Sequence, residues 1–156
     1  RRVRAAGQAA MDSQRAFKIP GAYGSIRETF GHLLWAEAEY IRRITGTPPQ
    51  PPFQWEAGPS LAEMSAFAAQ VGQAYLDLLP RVPPTQMVHE EENGQFLDYQ
   101  ARQLFMQLIN HGIEHRTNVT TFLNSLGLPV PEIDCWSYMF KHRERFAVQE
   151  GNMAGH

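Results

Sequence analysis

One cysteine, Cys135, is all that the 156 residues contain. A single thiol excludes an intrachain disulfide and a cysteine-rich zinc site, and it suits a reducing cytoplasm. Basic residues are not in surplus either. Fourteen Lys and Arg stand against 16 Asp and Glu, for a formal net charge of -2. Such a chain has no excess of cations to neutralise a run of phosphates, which disfavours general nucleic-acid binding. No apolar run approaches the roughly 20 residues that span a bilayer, and no signal peptide is visible, so no membrane partner is expected. An initiating methionine is missing as well: the chain opens on Arg1, and a preceding segment is expected.

What is present is globular in kind. Hydrophobic residues make up 43% and charged residues 19%. That proportion, at this length, predicts a single domain over residues 1–156 with a real core. The most informative stretch runs from Leu104 to Leu126. At 3.6 residues per turn, Leu104, Leu108, Val119, Phe122 and Leu126 form one apolar stripe. Two places on that stripe are taken by His111 and His115, which lie one above the other because they are four residues apart. A buried polar group without a partner costs about 1–3 kcal/mol, so both rings need one. A shared metal ion suits both at once, and a hydrogen-bonded core pair is the alternative. Two ligands do not complete a metal site, so a third donor has to come from elsewhere.

The rest of the chain reads as helices separated by marked breaks. Arg1 to Asp12 is a weakly patterned helix, and Lys18 to Gly24 is a loop punctuated by Pro20, Gly21 and Gly24. Ser25 and Glu28 form a capping box that starts a helix ending at Gly46. Its core stripe is Ile26, Phe30, Leu33, Leu34, Ile41 and Ile44. Glu37 falls near the centre of that stripe, where a carboxylate needs a cation from another helix, a bundle end open to water, or a role in a site. Pro48, Pro49, Pro51 and Pro52 predict a polyproline crossover laid over the bundle. Ser60 and Glu63 open a further helix with the stripe Met64, Phe67, Ala68, Val71, Tyr75 and Leu78. Asn93-Gly94 signals a short hairpin, whose acidic run His89 to Glu92 reads as solvated.

The histidine-bearing helix is expected to start at about Asp98 and to end near Gly127. Pro131 is placed at the first position of a last helix, which Ile133, Trp136, Tyr138, Met139 and Phe140 make apolar enough to pack. The tail after about residue 146 is expected to be flexible. The whole predicts an all-α helical bundle with a short β-hairpin and a C-terminal helix. His32 is the one further histidine in the two strongest helices. It sits about 120° from the centre of its own apolar stripe, on a shoulder near Thr29 and Ala36. Periodicity alone does not nominate it.

The segment Gly24-Ser-Ile-Arg-Glu-Thr-Phe-Gly-His32-Leu-Leu-Trp-Ala-Glu37 resembles the second-helix signature of the DinB family, the DinB/YfiT-like metalloenzymes. So does Ile109-Asn-His111-Gly-Ile-Glu-His115-Arg116, followed by Leu126-Gly-Leu-Pro, Pro131-Glu-Ile-Asp134 and Tyr138. The resemblance runs from about Ser25 to Arg143, and its first helix is shortened here. It implies a four-helix bundle holding one divalent metal through His32, His111 and His115. Many members continue with Gly-Gln after the arginine, where this chain has Thr117 and Asn118. Neither position is a ligand; the change bears on dimer contacts or substrate preference.

Three imidazoles leave the ion its full charge and an open position for water or substrate. Such a site either acidifies a water for hydrolysis or activates a thiol for attack. The resemblance favours the thiol, because relatives include thiol-dependent S-transferases and a maleylpyruvate isomerase that uses a low-molecular-weight thiol. Zinc or nickel suits the ligands. Glu37 is the nearest acid/base candidate for catalysis, and Trp35, Arg116 and Tyr138 are candidates for substrate contact. The expected partners are a small molecule, a cellular thiol and a second copy of the chain as a homodimer. A non-catalytic metal or ligand binder and a purely structural dimer are the alternatives.

Overall fold

The computed structural model describes residues 23–146. The helix expected over Arg1 to Asp12 and the tail after residue 146 lie outside the described residues. Helix α1 (Ile26–Thr45) is followed by a 3-10 turn (Trp55–Ala57) and helix α2 (Leu61–Leu78). Strands β1 (Met87–Glu92) and β2 (Gln95–Gln100) lead into helix α3 (Ala101–Ser125). Helix α4 (Cys135–Lys141) and a 3-10 turn (Arg143–Arg145) close the described chain. The fold is an all-α bundle carrying a two-stranded hairpin. It falls into two compact units, one up to Phe122 and one from Leu123.

Both capping boxes form. Ser25 N–H donates to Glu28 Oε2 at 2.7 Å, and Glu28 N–H donates to Ser25 Oγ at 3.3 Å. Ser60 and Glu63 repeat the pattern at the start of α2. These side chains satisfy backbone donors that the first helical turn leaves without partners. Gly46 stops α1 in the left-handed region, at φ 82°, with its N–H donating to Arg42 O.

Phe67 and Val71 of α2 are among the largest fully buried side chains. They pack with Leu34 and Ile41 of α1 and with Leu104 of α3 in one cluster. Tyr75 donates its hydroxyl to the Glu37 carbonyl at 2.7 Å, adding a polar tie between α1 and α2. Ala68, assigned to the α2 stripe, is exposed.

The hairpin is antiparallel, with Glu92 opposite Gln95 across the two-residue turn. Asn93 and Gly94 both take positive φ, 53° and 77°, as a type I′ turn requires. Strand pairing continues to Met87 opposite Gln100, so α3 begins at Ala101 rather than at Asp98. Glu90 departs from the solvated run assigned to it. Its carboxylate takes Arg43 of α1 at 2.9 Å and the Tyr99 hydroxyl at 2.6 Å. Burial, together with Glu90, pushes the Tyr99 hydroxyl up to about 12.

In the second unit, Asp134 rather than Pro131 opens α4, accepting from Ser137 N–H at 2.9 Å. Glu132 and Ile133 separate Pro131 from that cap, so it lies before the helix. No residue of α4 is buried. Leu126 also falls off the stripe assigned to it and is exposed. The chain leaves the helical period after Ser125 and turns at Gly127, φ 69°.

Ser25→Ala removes one acceptor of the α1 capping box. The expected loss is about 1 kcal/mol, read by circular dichroism as a melting point lower by roughly 2–4 °C.

Candidate metal centre

Helices α1 and α3 run antiparallel where they meet. His32 faces His111, and Tyr40, two turns further along α1, meets Gln107, one turn back along α3, at 3.4 Å. This packing explains why a shoulder residue enters the site. The apolar stripe of α1 faces α2, whereas the flank carrying His32 faces α3. Thr29 and Ala36, which share that flank, are buried, and His32 between them is half-buried.

The three imidazoles converge through their Nε2 atoms. His111 Nε2 lies 3.0 Å from His32 Nε2 and 3.0 Å from His115 Nε2. One ligating nitrogen from each ring lies within 4.8 Å of the others. A tetrahedral ion with metal–nitrogen bonds of about 2.0–2.1 Å spaces its ligands about 3.3 Å apart, so small ring shifts would admit one. Hydrogen bonding alone satisfies the cluster poorly, because one proton cannot serve two contacts to the same His111 nitrogen. Tyr23 stacks on His32 with centroids 3.8 Å apart and presents its edge to His115 at 6.3 Å. No residue pattern announced this tyrosine; it stands in a glycine-flanked loop and meets the rings only through the fold.

The electrostatics favour neutral rings with available lone pairs. Burial, and then His115, hold His32 below the usual histidine range. His111 is lowered by burial first and by its two neighbours next, against a smaller opposing pull from Glu114. A neutral imidazole is the form that ligates a metal. No carboxylate or thiol joins the cluster among the described residues. The Nδ1 atoms of His111 and His115 are buried without a hydrogen-bond partner among the described residues.

Glu37 finds its cation on α3. Its Oε1 lies 3.7 Å from Arg116 Nη1, and the two line an apolar cavity of about 330 Å³ with Leu33, Met64 and Ala68. Burial nevertheless raises the Glu37 carboxyl above the usual range, with Arg116 opposing it. Gly112 makes the pair reachable: a Cβ there would stand 2.6 Å from Arg116 Nη2, so the guanidinium folds back over a bare backbone. Sequence reading passed over Gly112, whose only signal was its place one turn before an arginine.

Trp35 lines a cleft of about 340 Å³ with His32, His111, Tyr40, Gln107 and Glu39. Tyr138 lies in the second unit, where Arg145 donates to its hydroxyl at 3.2 Å and His142 packs against its ring. Glu114 is exposed, as is the Cys135 thiol. His89 pairs with Asp98 at 2.8 Å on the hairpin, away from the triad.

A helical bundle with three imidazoles gathered from two helices defines a class of possible metal-binding proteins. The model of the DinB family matches residues 10–150, and the chain belongs to that family. No curated protein and no solved structure gives a match. Among the described residues, no helix is long and apolar enough to cross a membrane.

Because its folded value is raised, Glu37 contributes stability that is full below about 4.5 and is lost as pH climbs through that raised value. Glu37→Gln is therefore expected to match the parent near pH 4 and to melt higher at pH 7. Gly112→Ala displaces Arg116 and should move the Glu37 titration further up, read by carboxyl carbon NMR. An unchanged titration would contradict the fold-back of Arg116.

Proposed function

We propose that the protein binds one divalent metal ion through His32, His111 and His115 and uses it to activate a low-molecular-weight thiol against an electrophile. The observation that carries this reading is the donor set: three imidazoles with no anionic side chain among them. Zinc or nickel suits such nitrogen donors. When bound, the ion lowers the pKa of a ligating thiol or water, and an all-imidazole set leaves it most of its charge to do so.

The chain's own residues supply position. Tyr23 braces the His32 ring from the loop side by stacking. Glu37 holds Arg116, and through it the α3 turn that carries His115. In this reading Glu37 acts as a positioning residue, while Glu39 is the carboxylate bordering the cleft. Trp35 walls the substrate space. A reducing cytoplasm fits the reading, since it supplies the thiol and keeps Cys135 free. A homodimer belongs to the same proposal; α3 leaves Met106, Ile109 and Ile113 exposed at helical spacing for a second copy to cover.

Elemental analysis of untagged, unchelated protein should find a single zinc or nickel per chain. His111→Ala should lower metal affinity by more than the roughly 10–100-fold that losing an outer-shell partner costs. It should also abolish metal-dependent conjugation of small thiols to an aryl halide. Metal uptake without conjugation by any cellular thiol, but with ester or amide cleavage, would replace the thiol with water as the activated group.

A further inference from the structure

One face of α1 carries more than the metal ligand. His32, Trp35, Glu39 and Arg43 recur at three- and four-residue spacing, so they form a continuous row along the helix. Seven residues separate His32 from Glu39, about 10 Å at 1.5 Å per residue. The cleft of about 340 Å³ that holds His32 and His111 opens along this row.

A second cavity, of about 280 Å³, lies beyond it between α1 and the proline crossover. Its walls include Trp35, Pro49, Phe53 and Trp55, with the amides of Gln50 and Gln54 at its border. Trp35 and Glu39 line both cavities, so the two are lobes meeting at those side chains. Trp35 is 54% exposed, an unusual position for a large apolar ring that two cavities share.

The walls of the second lobe are firm. Phe53, Trp55 and Phe67 meet edge to face, with centroids 4.9 to 6.1 Å apart. Trp55 also lies 3.7 Å from where a Cβ of Gly31 would stand, which seats the crossover beside His32. Proline rings lock their own φ, so this wall cannot fold inward to fill the space. Glu39 is the one ionisable side chain lining the lobe, and Arg42 pairs with it at 2.5 Å. A neutralised carboxylate among aromatic and proline rings favours neither an anion nor a free cation.

We infer that the second lobe is a subsite for a neutral aromatic or branched aliphatic group, carried by the same molecule whose thiol reaches the histidine cluster. The inference rests on the metal-site reading above and names the chemistry of its substrate: a thiol joined by a short linker to an apolar group. The lobe that holds His32 and His111 takes the reactive end, with the Tyr40 hydroxyl and the Gln107 amide beside it. The aromatic lobe takes the other end and sets selectivity.

The test compares two thiols that share a two-carbon linker on cobalt-loaded protein, 2-phenylethanethiol and 2-mercaptoethanol. Thiolate-to-cobalt absorbance gives the affinity of each. The phenyl compound should bind at least about tenfold tighter, because its ring leaves water for an apolar lobe. Phe53→Ala, which borders only the second lobe, should erase most of that preference and leave 2-mercaptoethanol affinity within about twofold. Gln54→Glu, an isosteric change at an exposed position that borders only the second lobe, repeats the measurement should the first variant fold poorly. Equal affinities in the parent, or a preference that survives both variants, would overturn this inference while leaving the metal reading intact. Protein that takes up no cobalt would overturn the metal reading and this inference with it.

Discussion

Nitrogen atoms from two antiparallel helices meet at 3.0 Å at a half-buried seam of this molecule, and that contact constrains much of what surrounds it. Rings this close repel when both are protonated, and when neutral they lack enough protons to satisfy one another. They stay together because the surrounding packing holds α1 and α3. The capping box at Ser25 fixes where α1 begins, seven residues before His32. The hairpin fixes where α3 begins, since β2 runs into Ala101 without an intervening loop. Arg43 ties that hairpin back to α1 through Glu90. Both helix starts are therefore anchored, and the register that opposes His32 to His111 follows.

Charge is distributed to match. Three sets of polar groups near the core are paired or clustered: Glu37 with Arg116, Glu90 with Arg43 and Tyr99, and the three histidines with one another. For Glu37, burial outweighs an arginine 3.7 Å away, so the direction of its shift follows desolvation rather than the ion pair. The apolar cavity beside this pair and the cleft beside the histidines have different linings. Structural and chemical roles are thus separated along α1, with Glu37 on one flank and the row from His32 to Arg43 on the other.

Much was legible from the residues alone. Capping boxes, the Asn93-Gly94 turn, the apolar stripes of α1 and α2 and the proline break each act through local geometry, so their signal lies within a few neighbouring positions. His111 and His115 were legible as a pair for the same reason. Expectations that failed lay where an element ends or where a neighbour decides. Strand pairing delayed the start of α3 beyond Asp98, Asp134 displaced Pro131 as the opening of α4, and Arg43 drew Glu90 out of solvent.

His32 marks the boundary between the two kinds of information. Its spacing placed it on a shoulder, and only the family resemblance nominated it from sequence. The packing of α3 against that shoulder shows why the position faces the other two histidines. Tyr23, the fold-back of Arg116 over Gly112 and the meeting of two cavities at Trp35 left no readable pattern. The sequence by itself determined which segments are helical and which faces are apolar, because those follow from periods of a few residues. Only the tertiary structure decided which faces meet, because contacts between residues 79 positions apart, as for His32 and His111, depend on how whole helices pack.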